Sequence, residues 1–106
     1  MDFSHELIMV IMNEGYSDTV MDAARSAGAG GGTVLHAKGT GTAIAEKFYG
    51  ISLAEEKEMV FIVTRAEDKR AIMEGVTEKA GLNTPARAVS FSLPVSETAG
   101  LRFFEK

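Results

Sequence analysis

Two uninterrupted apolar runs constrain the fold of this chain more than any other feature of its sequence. Residues 7–12 (LIMVIM) and 59–63 (MVFIV) are apolar throughout and are bounded by charged or turn-forming residues. Runs of this length are typical of buried strands, because a helix needs a longer and periodic pattern. A strand that is apolar on both faces must be covered on both faces. We therefore expect these two runs to form the centre of a sheet.

Two segments with helical spacing follow these runs. The first has a predicted N-cap at Ser17 and ends before Gly28, and the second runs from Asp68, also a predicted N-cap, to Gly81. Both helices should bury one face only. The predicted buried residues are Val20, Met21, Ala24 and Ala27 in the first helix and Ile72, Met73, Val76 and Ala80 in the second.

Two weaker strands complete the pattern. Residues 33–38 are compatible with a strand, and residues 89–93 alternate apolar side chains with serine before Pro94, which is typical of a sheet edge. The order βαββαβ predicts an α+β, ferredoxin-like sandwich, with a four-stranded antiparallel sheet and both helices on one face. Two helices cover one face of the sheet, so the doubly apolar strands predict that further copies of the chain cover the other in a closed ring.

Composition bounds the remaining possibilities. The chain of 106 residues fits a single domain, 1–106, and its net charge of −4 argues against general binding of nucleic acid. It has no cysteine, which removes disulfides and thiolate sites, and no apolar run long enough to span a bilayer. We expect a soluble, cytoplasmic protein.

Two glycine clusters flank the strand at 33–38. Neither completes a dinucleotide fingerprint, because Thr33 and Ile44 stand where the last glycine is required, and no Walker sequence is present. The cluster at 28–32 is interpreted as a helix end with a tight turn. The cluster Gly39-Thr40-Gly41, preceded by Lys38, is compatible either with a strand end or with backbone N–H groups converging on an anion.

The run GTVLHAKGTG at 32–41, placed before a long loop at 42–56, resembles the PII family of nitrogen-regulatory signalling proteins. The resemblance continues in order through nearly the whole chain. It implies a homotrimer without catalytic activity that has no tightly bound cofactor and takes ATP, ADP or AMP as a regulatory ligand between subunits. The loop at 42–56, called the T-loop in that family, would signal to a target protein, and family habit suggests a membrane transporter.

The resemblance also carries site residues over by position. They fall at the base of the T-loop, in the short loop before the last strand and in the C-terminal tail. Phe48 and Tyr49 would contact the target, and some family members carry a modifiable tyrosine near the second position. The implied ligand-binding residues are Thr33, Lys38, Gly39, Thr40, Gly41, Lys57, Thr84, Arg87 and Arg102.

Departures from the family pattern leave the ligand open. The family's short loop is rich in glycine (Thr-Gly-x-x-Gly-Asp-Gly-Lys), whereas residues 81–87 are GLNTPAR. Ala43 stands where the family has a glutamine that helps to hold magnesium and 2-oxoglutarate. Because guanidinium groups bind phosphate well, Arg87 is expected to replace the family's lysine.

Two other interpretations were weighed. CutA-type copper-tolerance trimers share this fold, so a trimeric metal-tolerance or scaffold protein without nucleotide binding is the alternative. His5 and His36 are the only histidines and lack ligand spacing, so no metal site is assigned within one chain. An enzyme is the weakest hypothesis, because no nucleophile–base pair is evident. The charged run at 55–58 (EEKE) is interpreted as the solvated beginning of a strand, although Lys57 could still point inward.

Overall fold

The computed structural model describes residues 3–40 and 56–100. Within these ranges, four strands and two helices follow one another in the predicted order, with a short 3-10 turn at Ala66–Asp68 before the second helix. Glu56, predicted as the end of the T-loop, is instead the first residue of a strand. The elements are β1 (His5–Asn13), α1 (Ser17–Ser26), β2 (Thr33–Lys38), β3 (Glu56–Arg65), α2 (Lys69–Ala80) and β4 (Val89–Pro94).

The strands form one antiparallel sheet in the order β2-β3-β1-β4. The two apolar runs therefore lie in the central strands, as predicted, and they pair directly through Val10 and Val60. β4 is an edge strand, and Pro94 is its last residue, opposite Glu6. An edge accommodates a proline because one side of the strand makes no ladder hydrogen bonds. The ferredoxin-like prediction is confirmed.

One face of the sheet packs against both helices and forms the core. Alternate residues of β1 and β3 point to this face, where they meet the apolar sides of α1 and α2. The predicted helix faces are confirmed, with Ala27 and Met73 only partly buried at the margin. The fully buried side chains of this core include Ile8, Val10, Met12, Val20, Val60, Ile62, Ile72 and Val76.

The opposite face of the sheet, which we call the open face, carries apolar side chains and no helix. β4 directs Phe91 and Leu93 to this face, where they are 48% and 50% exposed, and β2 adds Leu35 at 40%. Ser90 and Ser92 of β4 point instead towards the helices. Exposed apolar faces of this kind are typical of surfaces through which proteins interact with other molecules.

The predicted N-cap position is wrong for α1 and correct for α2, and neither cap residue makes a side-chain cap hydrogen bond. Ser17 is the first residue of α1, Tyr16 occupies the N-cap position, and no side chain of the cap residue binds the helix. Asp68 is the N-cap residue of α2, but its carboxylate makes no cap hydrogen bond and lies 3.8 Å from the guanidinium of Arg65. At α1, a glutamate from a distant strand supplies the missing acceptor, as described below.

Glycine allows the two helices to approach each other closely. A Cβ atom at Gly75 of α2 would lie 3.2 Å from the Cβ of Ala27, which follows α1. The helix cost of about 1 kcal/mol for an internal glycine therefore has a packing reason. Gly28 has a φ of +114°, which confirms that the first glycine cluster ends a helix in the left-handed region.

Candidate ligand-binding site

Three strands begin or finish at the same end of the sheet. β1 finishes at Asn13, which pairs with Lys57 near the start of β3, and Lys57 pairs in turn with Ala37 near the end of β2. The strand register alone therefore places Lys38 and Lys57 at one end of the molecule. The loop that leads into β4 reaches the same end, because Val89 pairs with Ile11.

Lys57 is buried at this end of the sheet. The residue is 5% exposed, and its ammonium group donates a 2.7 Å hydrogen bond to Oδ1 of Asn13. Glu58, the next residue, is 7% exposed. The interpretation of this charged run as solvated is thus wrong at both positions, and the inward orientation considered for Lys57 is correct.

Asn13 connects Lys57 to the short loop at 81–88. Its side-chain amide donates to the carbonyl oxygen of Pro85 at 2.9 Å, and its backbone N–H donates to that of Ala86 at 2.9 Å. Because an amide offers both an acceptor and donors, one side chain can bridge the ammonium and the loop. Lys57 and Asn13 therefore hold the loop in place against the end of β1.

The short loop is closed by its own hydrogen bonds. Thr84 donates to the carbonyl oxygen of Gly81 from both its backbone N–H, at 3.0 Å, and its hydroxyl, at 2.8 Å. The N–H of Arg87 returns to the carbonyl of Thr84 at 3.2 Å, and that of Ala88 returns to Ala80 at 2.7 Å. Each of these bonds points into the loop, which makes it a compact turn that caps the end of α2.

Arg87 is exposed on this turn in an unusual backbone conformation. Its φ of 49° is the only positive value among the non-glycine residues of the described ranges. Residues other than glycine occupy the left-handed region at a cost of order 1–3 kcal/mol, and such strain is concentrated at ligand clamps and other functional sites. The fold thus fixes the direction in which the side chain of Arg87 leaves the backbone.

The other predicted ligand residues are spread over β2. Lys38 is exposed at the end of this strand, with Gly39 half-buried and Thr40 exposed after it. Thr33 lies at the opposite end of β2, across from Phe61, so one chain does not bring it to the site. Lys38 ends β2 and Arg87 lies in the short loop just before β4, so they are on opposite sides of the sheet, whose outer strands are three strand spacings or about 14 Å apart. Gly41, Phe48, Tyr49 and Arg102 lie outside the described residues.

Glu58 is a functional group of this end that the sequence reasoning missed. One carboxylate oxygen accepts the backbone N–H groups of Gly15, at 2.9 Å, and Ser17, at 3.2 Å. The other carboxylate oxygen is 3.9 Å from Nδ1 of His36. A carboxylate at a helix N-terminus satisfies unpaired N–H groups and complements the helix dipole. Glu58 therefore ties the beginning of β3 to α1 and places a negative charge beside β2.

Residues 3–40 and 56–100 contain no group of three or more His, Asp or Glu side chains that could hold a metal ion. No helix within the same ranges is long and apolar enough to cross a membrane.

Comparison with known proteins gives the family. The family model described as Nitrogen regulatory protein P-II matches residues 5–104. This chain belongs to the PII family. The match includes both central strands, the short loop and the end of β2, and it favours the PII interpretation of the sandwich over the CutA-type alternative. PII proteins are regulatory proteins that form homotrimers and bind small effectors and target proteins.

A solved structure shows the same fold. The crystal structure of Arabidopsis thaliana PII bound to citrate matches with a TM-score of 0.71 and 20% sequence identity, over 95% of this chain and 83% of that chain. At this identity the likeness concerns the architecture alone. No curated protein matches the chain.

Proposed function

We propose that this PII protein senses an anionic effector, an adenine nucleotide, at the sheet end formed by Asn13, Lys38, Lys57 and the short loop. One observation carries the proposal. The bridge from Lys57 through Asn13 fixes the loop that presents Arg87, beside the strand ends between which the segment 42–56 is inserted. A loop held in place by these hydrogen bonds and carrying an exposed guanidinium is suited to binding an anion.

The spacing of the exposed cations supports an elongated ligand. The outer strands, beside whose ends Lys38 and Arg87 lie, are three strand spacings or about 14 Å apart, so the two cations can contact well-separated groups of one ligand. A nucleotide has an anionic end and a polar heterocycle at a distance from it. Its phosphate would bind Arg87, while its other end extends towards Lys38, Gly39 and Thr40.

The open face supports an assembly that completes the site. A closed ring of three chains would cover Phe91, Leu93 and Leu35 and would bring surfaces of neighbouring copies together. Thr33, which is remote from Arg87 within one chain, would then act in the cleft of a neighbouring subunit. Arg102, the only arginine of the tail, is assigned to the same cleft, although it is out of register with the family's C-terminal arginines.

Signalling would pass from the site into the segment between β2 and β3. This segment follows Lys38 and rejoins the sheet at Glu56, directly before Lys57. An effector that contacts both roots changes the relative stability of conformations in which the segment engages a target. Phe48 and Tyr49 are the proposed target contacts, with no catalytic step involved.

Calorimetric titration tests the proposal directly. The purified protein is titrated with ATP, ADP, AMP, cyclic di-AMP, 2-oxoglutarate and citrate, the last because an Arabidopsis relative was crystallised with it. A nucleotide should bind, and Arg87→Ala should weaken it at least about tenfold, the loss expected for one charge-assisted hydrogen bond to phosphate. Arg25→Ala is the matched control, since Arg25 is an exposed arginine on α1 that pairs only with Asp22 among the salt bridges of the described residues.

The outcomes separate the hypotheses. Binding of a nucleotide that both arginine variants retain equally would place the ligand elsewhere. Binding of citrate or 2-oxoglutarate in the absence of nucleotide binding would make the protein a carboxylate sensor and reject the adenine nucleotide. A ligand at about 100 times its dissociation constant adds about 2.7 kcal/mol to the free energy of unfolding, so thermal shifts provide an independent readout.

A further inference from the structure

The second half of the short loop, from Thr84 to Ala88, offers no backbone N–H group to a ligand. At residues 84, 87 and 88, the N–H groups donate to carbonyl oxygens within the loop or at the end of α2. Pro85 has no N–H group at all, and Ala86 is 1% exposed. Of the five positions from Thr84 to Ala88, none therefore directs a backbone donor into the solvent-facing side of the site.

The side chains that remain are equally restricted. The single hydroxyl proton of Thr84 is donated to Gly81, so that hydroxyl is not a donor for an anion. The ammonium of Lys57 donates to Oδ1 of Asn13, and this lysine is only 5% exposed. The guanidinium of Arg87 is thus the cationic donor that the loop presents outwards, with the neutral side-chain amide of Asn83 also exposed.

Chains of two or three phosphates make a different demand on a protein. They are typically held by several backbone N–H groups that converge from a glycine-rich turn, because the negative charge is distributed over many oxygens. One guanidinium instead binds the oxygens of one phosphate group in a bidentate arrangement.

We infer that the short loop selects a single terminal phosphate, so that a nucleoside monophosphate such as AMP binds at least as tightly as ADP or ATP. This inference rests on the proposed function, since it names the effector class of the same site. It makes Pro85 a specificity-determining residue through the N–H group that it lacks. The remaining loop hydrogen bonds hold the turn in the conformation that excludes a phosphate chain.

Titrations with AMP, ADP and ATP, each with and without Mg²⁺, test the inference on the intact protein. For the native chain, the dissociation constant of AMP should be equal to or lower than that of ATP under both conditions. Pro85→Gly restores an N–H group and keeps the carbonyl oxygen that Asn13 binds. In this variant, the dissociation constant of ATP should fall about tenfold relative to that of AMP, the effect expected from one charge-assisted hydrogen bond.

The matched control is Pro94→Gly, the same substitution at the end of β4 that pairs with Glu6, remote from the short loop. It should leave the ratio of the AMP and ATP dissociation constants unchanged. Binding of ATP at least tenfold tighter than AMP by the native chain would overturn the inference while the proposed function stands. An unchanged ratio in Pro85→Gly would overturn the role of the missing N–H group. Absence of binding by all three nucleotides would instead refute the proposed function itself.

Discussion

Lys57 and Asn13 are joined by a 2.7 Å hydrogen bond between the ammonium Nζ and the amide Oδ1, and Asn13 passes this restraint on to the carbonyl of Pro85. The lysine is 5% exposed, so its charge is stabilised by the protein rather than by bulk water. Buried ionised groups are costly to leave unpaired. The pair therefore couples the stability of the sheet end to the position of the loop that carries Arg87.

Replacing Lys57 with methionine should lower both the stability of the protein and its affinity for the nucleotide. Methionine approximates the aliphatic stem but leaves the Oδ1 acceptor of Asn13 without its donor, and we expect a loss of about 2 kcal/mol in the free energy of unfolding. Urea denaturation at a fixed chain concentration measures the loss. Titration of the same variant with its nucleotide should show weaker binding, because the short loop is less well held.

Lys38→Met is the control for this substitution. Lys38 is exposed at the end of β2, so its replacement should change the free energy of unfolding by less than about 0.5 kcal/mol. Equal stability losses in the two variants would show that the buried hydrogen bond makes no special contribution.

Glu58 provides a second test that concerns helix α1. Removing its carboxylate in Glu58→Ala leaves the N–H groups of Gly15 and Ser17 without their acceptor. We expect a loss of about 1–2 kcal/mol in unfolding free energy, as for the loss of a helix cap. Glu58→Gln keeps an oxygen acceptor and should lose less. Glu56→Ala, at an exposed position two residues earlier, should be neutral, and a loss there equal to that of Glu58→Ala would argue against capping.

The central architecture was predictable because its signals are local. The runs at 7–12 and 59–63 identify the middle strands, and the helical periods identify the faces that cover one side of them. Because two helices cover only one face of the sheet, the sequence also predicts that the other face has no helix on it. β4 fits the same logic, since its alternation separates Phe91 and Leu93 from the two serines.

The site was less predictable because its hydrogen bonds join residues that are far apart in sequence. Nothing near Lys57 indicates that Asn13, 44 positions away, accepts its hydrogen bond, and nothing near Ser17 indicates that Glu58 is the capping group. Charged residues at the start of a strand are usually solvated, so the sequence around Lys57 and Glu58 predicted exposed side chains where the structure has buried ones. The loss of family glycines from the short loop was visible in the sequence, whereas the inward direction of its N–H groups required the structure.

Gly81 should be the least replaceable residue of the short loop. Its backbone is extended, but a Cβ atom there would collide with the backbone carbonyl oxygen of Thr77. The same oxygen accepts a hydrogen bond from the backbone N–H of Gly81. We expect Gly81→Ala to lower the free energy of unfolding by about 2 kcal/mol, as for other overpacked sites. Gly30→Ala, where nothing lies within 4 Å of the added atom, should change it by less than about 0.5 kcal/mol. Thermal or urea unfolding compares the two, and similar stabilities would show that the loop relaxes freely.

Assembly through the open face is tested by Phe91→Lys. Phe91 is already 48% exposed in the single chain, so lysine should disturb its folding little. In a trimer, the same side chain would place a charge in an apolar interface, which is costly without a partner. We expect light scattering after gel filtration to give the mass of three chains for the native protein and a lower mass for the variant. Leu82→Lys, 43% exposed on the short loop, should keep the native mass. A Phe91→Lys protein that retains the native mass, or a native protein that is monomeric throughout, would show that the open face is not the subunit interface.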